Sequence, residues 1–454
     1  MTAPAYPSPR LARVLLNGPG SVGPGDGFTY AQRGGDPAAP NYLRSIGQRF
    51  GDDFIQLAEC GLPGATTLQR FQAGVSFLSS RGGGRLVIPR GTTDLGQDLL
   101  TVTPDNIIIS GHHAEGSIIH SSAQSGDIVS IGDGVANPHR TYVECLSIHG
   151  DGNRQGAGLR FRNGYDCGGR HLMFAGMDRS IQGDGGSNQC YLTLDDIITF
   201  DGTQALTLGD TGGKVIQAYL TRLKLTSCSD AAYLLVNVSG LFAHNCESLF
   251  AGRGLATFPS KGQAIDACYL GNIFLDSSVN ESAFVATNGD STGSGKIWDL
   301  NFGQGARLST GGVTTGATGL RIVGYAPRDI SGVSADAARI MNHGGHGVSL
   351  VNAEDTAFND CNVWANGQKN PGNFSGIFND GSANGTKVNS GRIGPCQRLP
   401  AVTHQYAILW GAGSDRNYVG GGVDMSGFTV AAMNSNPPGA NSVVGEYIAK
   451  KAWP

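Results

Sequence analysis

Short apolar runs separated by polar, glycine-rich corners recur along most of this chain. The stretch "GIFNDGSANGTKVNSGRIG", Gly376 to Gly394, shows the unit: two runs flank a corner rich in Gly and Asn, with no helical period nearby. From Asn106 onward the unit returns as "NIIISGH", "YVECLSIHG", "GLRFRNG", "CYLTLDDIITFDG", "RLKLTSC", "KIWDLNFGQG", "TGLRIVGY", "HGVSLVN" and "YAILWGAG". These runs alternate as strands do. Leu159, Leu206, Leu234, Leu255, Leu320, Val348, Ile377 and Ile408 recur at about two dozen residues, some gaps spanning more than one unit, and a repeat of this length marks a solenoid. Because the unit holds strands only, the pattern predicts an all-β protein, a single-stranded right-handed parallel β-helix. Its coils stack about 4.8 Å apart through main-chain hydrogen bonds. Ile, Leu, Val and Phe ladders fill the interior, while Gly and Asn provide positive φ at corners. A sandwich would require hairpin turns and a propeller a blade motif, and neither is visible.

Ahead of the repeats, Leu68, Phe71, Val75 and Leu78 fall on one helical face, and Gly82-Gly83-Gly84 ends that helix. "RLVIP" then reads as a strand closed by Pro89. The expected organisation is a Pro/Gly-rich arm over 1–50, a short helical cap over 51–84, the β-helix over 85–430 and a C-terminal tail over 431–454.

Composition narrows the alternatives. Gly makes up 71 of 454 residues and charged residues 15%, a chain of many corners and few ionic faces. Gly does not recur every third residue, which excludes collagen, and 39% hydrophobic content supports a core that a disordered chain lacks. The net charge is −4 with no basic block, so nucleic acid is not an expected partner. No apolar run is long enough to insert in a membrane, and the Pro-containing start "MTAPAYPSPRLARVLL" reads as no signal peptide. Nine cysteines without a CxxC pair point to reduced core residues, not to a disulfide framework or a zinc site.

At "GGGRLVIPRGTTDLGQDLLTVTPDNIIISGHHAEGSII", Gly82 to Ile119, the chain resembles the start of pectate-lyase-like β-helix proteins, which include phage tailspike depolymerases. Gly82-Gly83-Gly84, Val87, Pro89, Gly91, Ile109 and Gly111 carry the resemblance. It implies a homotrimer that acts on a bacterial surface polysaccharide from a virion tail. Residues 1–50 would then dock to a phage tail or baseplate protein.

Chemistry is sought where neighbouring coils bring carboxylates together, because glycosidases use a pair about 5–9 Å apart. The candidates are Asp178, Asp201, Asp230 and Glu247 as catalytic acids and bases; Asp178 and Asp201 are spaced by nearly one coil. Asp230 and Glu247 each stand three residues before an aromatic, Tyr233 or Phe250. Arg179, Asp196, Arg253, His171 and His244 are candidates for substrate binding. Asp is equally at home as an Asx-turn residue at a corner. A lyase would instead use His171 or His244 as base, with calcium possible as cofactor; "SIHGDGN", with Asp151 and Asn153, has the look of a calcium turn. Otherwise no cofactor or metal is expected. A spike that binds glycan without cleaving it is the third alternative.

Overall fold

The computed structural model describes residues 54–61, 64–152, 155–184, 190–210, 213–309, 315–396, 401–435 and 439–450. The arm expected over 1–50 and Asn153 lie outside them. A capped helix opens the fold. Helix α1, Thr67–Ser79, starts with a capping box in which Thr66 accepts from the Gln69 amide and Gln69 from the Thr66 amide. Phe71, Val75 and Leu78 are buried, and Leu68 packs at the edge of the same core. The Gly83 amide donates to the Leu78 carbonyl, and Gly83 has φ 128°, where a Cβ would stand 2.5 Å from that of Asn106. Only Gly serves at this corner.

Behind the helix the chain winds into a right-handed parallel β-helix. Its described strands form a 26-stranded and a 13-stranded sheet. The one antiparallel pair among the described residues is a small hairpin, Gly289–Asp290 with Gly293–Ser294. Paired strands continue as far as Val443–Val444. In the 13-stranded sheet one interior ladder runs through Leu159, Ile181, Leu206, Tyr233, Leu255, Ala283, Leu320, Val348, Ile377 and Ile408. Seven of the eight residues picked out by the repeat stand on it. Leu234 does not: Tyr233 takes the interior place, and Leu234 packs with Ala231 and Ala256 in a separate small cluster. Both faces of "AAYLLVN" are apolar, so alternation could not tell inside from outside there.

At one bend of the larger sheet left-handed residues stack from coil to coil. Cys145, His171, Asp196, Arg222, Asn245, Asn272, Ala337 and Asp360 have φ between 49° and 56° and occupy successive rungs, with Gly305 taking the place between Asn272 and Ala337. Non-glycine residues visit this region at a cost, which the rung hydrogen bonds on either side offset.

The nine cysteines are free, eight of them buried. Burial pushes the thiols of Cys167, Cys228 and Cys361 up to about 12, the behaviour of core residues and not of nucleophiles. In the later coils His343 and His404 are buried and His346 is half-buried. The Nε2 atom of His343 lies 2.8 Å from Ser282 Oγ and its Nδ1 lies 2.9 Å from Asn366 Oδ1; the Asn366 amide donates to His404 Nε2 at 3.1 Å. The ring of His346 stacks on Phe378 at 4.7 Å.

Close coil stacking makes one substitution diagnostic. A Cβ on Gly111 would lie 2.2 Å from the Cys145 carbonyl oxygen, so the rung itself must shift. Gly111→Ala is expected to cost about 1–3 kcal/mol, read as a lower urea midpoint; an unchanged midpoint would contradict the tight stacking.

Candidate functional site

The candidate residues separate onto two lengthwise tracks. The first follows the left-handed bend of the larger sheet. His171 and Asp196 are adjacent rungs of that bend, and His171 Nδ1 lies 2.7 Å from Asp196 Oδ2. They line a cleft of about 300 Å³ with His112, Glu115 and Met173. Further along, Asp195 pairs with Arg222 at 2.7 Å and Glu247 with Lys224 at 3.2 Å. Glu247 borders a larger groove of about 760 Å³ that continues over Phe274, Arg307 and Arg339. The exposed His244 precedes the bend residue Asn245 on the same track.

The second track follows the corner where the larger sheet hands over to the 13-stranded sheet. Asp178 and Asp201 line one open cleft of about 840 Å³, with Gln155, Arg179, Thr203 and Ser229 around them. Asp178 is half-buried and Asp201 exposed at the lip. Main-chain bonds fix their relative height: the amides of Thr203 and Gln204 both donate to the Asp178 carbonyl at 2.9 Å. Asp201, with φ 65°, belongs to a second left-handed corner ladder that includes Gly176, Ser227 and Phe250. Neither side chain has an ion-pair partner among the described residues. Arg179 donates to Gln204 at 3.1 Å and Gln182 at 3.2 Å.

Asp230 and Arg253 stand further along this second track and engage each other at 3.0 Å. Gln204 Nε2 also donates to Asp230, while Arg253 and Arg321 share Glu281, each at 3.1 Å. Both guanidiniums lie over the Phe284 ring. This chain of ion pairs ties four coils together. Asp230 and Glu247 therefore do not share a face: Asp230 precedes Ala231–Leu235 of the 13-stranded sheet, whereas Glu247 opens Glu247–Leu249 of the larger one. Spacing to the next aromatic could not register two different sheets.

Asp151 of the suggested calcium turn lies 2.9 Å from His120 Nε2, and Asp94 lies 2.9 Å from its Nδ1. The Asp94 hydrogen bond leads in raising this imidazole above its ordinary value. Among the described residues no group of three or more His, Cys, Asp or Glu is placed to hold a metal ion. None of their helices is long and apolar enough to cross a membrane.

Phe274, Arg307 and Arg339 were not singled out by sequence. A signal exists in "GARLS" and "AARIM", a small residue, Arg and an aliphatic recurring one coil apart, with Arg307 and Arg339 in direct register.

No protein-family model matches the chain, and no curated protein matches it in sequence. Solved structures do match in fold. The Dettilon tailspike protein aligns over 94% of this chain and 74% of its own, at TM-score 0.55 and 12% identity. The A-module of the mannuronan C-5 epimerase AlgE4 of Azotobacter vinelandii aligns over 87% and 100%, at TM-score 0.51 and 12% identity. The tailspike of E. coli bacteriophage HK620, a mutant in complex with a pentasaccharide, aligns over 96% and 86%, at TM-score 0.50 and 13% identity. The likeness is one of fold, the right-handed parallel β-helix of tailspikes and their pectate-lyase-like relatives.

Proposed function

We propose that this chain is a tailspike-type depolymerase that hydrolyses a bacterial surface polysaccharide at the Asp178–Asp201 cleft. The observation that carries the reading is that two carboxylates on neighbouring coils, without ion-pair partners among the described residues, line one open cleft. Coil stacking of about 4.8 Å is compatible with glycosidase carboxylate separations, about 5–9 Å. Asp178 is assigned the proton donor to the glycosidic oxygen, and the exposed Asp201 the group that activates water. Two of the fold relatives are tailspikes, one of them bound to a pentasaccharide, and a third is an epimerase of mannuronan, so the reading also draws on what those proteins bind or act on. Under it the chain assembles as a homotrimer in a virion tail, and residues 1–50 dock it to a tail or baseplate protein.

A second reading, elimination from a uronate, is favoured by the His171–Asp196 contact at 2.7 Å. Asp196 accepts from Nδ1 and leaves Nε2 as the base, the tautomer a proton abstraction needs. One experiment separates the readings: the protein is incubated with host polysaccharides, and reducing ends and the ultraviolet absorbance of unsaturated sugars are followed. Reducing ends alone support hydrolysis. Both rising together would replace it with elimination. A glycan that binds without either signal would leave a non-catalytic spike.

A further inference from the structure

The groove beyond Glu247 is built around two positive charges that no carboxylate among the described residues compensates. Glu247, Phe274, Arg307, Arg339 and Asn362 are in register on successive coils. Arg307 and Arg339 therefore stack directly on each other, about 4.8 Å apart at the main chain. Like charges directly opposite one another on a sheet are destabilising. Most other coil arginines avoid this with a carboxylate: Arg222 with Asp195, Arg253 with Asp230 and Arg392 with Asp424. Arg307 and Arg339 have no carboxylate partner among the described residues. Glu247, the acid that borders the groove, is taken up by Lys224. The Arg307 guanidinium is held over the Phe274 ring at 4.8 Å, and its Nε is buried without a hydrogen-bond partner.

We infer that this groove binds an acidic glycan, with Arg307 and Arg339 gripping its anionic groups and the Phe274 ring supporting the sugar beside them. Charge-assisted bonds from a guanidinium to a carboxylate or sulfate supply the missing compensation, and an aromatic ring in the same groove suits the apolar face of a pyranose. Two cations are too few to follow a nucleic-acid backbone. The inference narrows the polysaccharide of the proposed function to an anionic one but uses a different track from the Asp178–Asp201 cleft.

The test measures binding of the full chain to oligogalacturonate, dextran sulfate, neutral dextran and single-stranded DNA. Wild-type protein should bind oligogalacturonate, more weakly as salt rises, and neutral dextran should not compete. Arg339→Gln, at an exposed position, should weaken binding about tenfold, and a double variant with Arg307→Gln by about a hundredfold, while the Arg339→Gln melting temperature stays at the wild-type value. If dextran sulfate loses affinity in parallel, the site reads anionic sugars in general; if only oligogalacturonate binds, it reads carboxylates, and both support the inference. Undiminished binding in Arg339→Gln, equal binding of neutral dextran, or tighter binding of DNA would overturn it. Asp178→Asn, which stops cleavage under the hydrolytic reading, should still bind oligogalacturonate like wild type. The two ideas therefore fail separately.

Discussion

Asp178→Asn and Asp201→Asn are each expected to lower reducing-end release by about 10²–10⁴-fold, the usual contribution of a positioned acid or base. Asparagine keeps the size of the side chain but can neither deliver nor take the proton. The exchange is gentle to the fold at both positions. Asp201 is exposed with φ 65°, a conformation Asn tolerates well. At Asp178 the carbonyl, not the carboxylate, accepts the two rung bonds from Thr203 and Gln204. Far-UV dichroism, assembly state and melting temperature should stay at wild-type values, so lost turnover reports on chemistry. Asp230→Asn is the contrasting case, since it weakens the bond to Arg253 and should lower stability while leaving turnover near wild type. Full turnover in both Asp178→Asn and Asp201→Asn would remove this pair from the active site.

Stability is expected to fall as the pH drops from about 6.5 towards 4, through three histidines of the later coils, His343 and His404 buried and His346 half-buried. Burial is the leading cause for all three: it lowers His343 and His346 to about 4 and His404 to about 3. Each is neutral when folded and, below its ordinary value near 6.5, protonated when unfolded. Acid therefore favours the unfolded chain, and the stabilisation is complete only above the unfolded value. The loss is on the order of 3 kcal/mol per histidine at the acid end. The window from pH 6.5 to 5 is diagnostic because most carboxylates are still ionised there. Melting temperature should fall across it, and the ring signals of these residues should show no titration until well below pH 6. A melting temperature that is flat between pH 7 and 5 would show that these imidazoles are not buried as described.

Sequence spacing revealed the coil more readily than it revealed the site, for a physical reason. An interior position has one tolerable chemistry, so Leu159, Leu206, Leu255 and Ile377 announce themselves and fall on one ladder. Leu234 misled because both sides of its strand are apolar. An outward position tolerates many residues, and its neighbour in space lies a variable distance away in the chain. His171 and Asp196 are each candidates by sequence, but their contact arises because both stand at the same bend of adjacent coils. Arg307 and Arg339 look like ordinary surface arginines until the register places them face to face.

That variable distance has an evolutionary side. Stacked partners are 25 residues apart at His171 and Asp196, 27 at Asn245 and Asn272, 33 at Asn301 and Ser334, and 23 at Asp336 and Asn359. The line of bends runs on unbroken through these differing lengths. Insertions and deletions can therefore accumulate between rungs while the underlying spine keeps its pitch. Such a molecule can change what it recognises by trading loops, one at a time, without redesigning its scaffold.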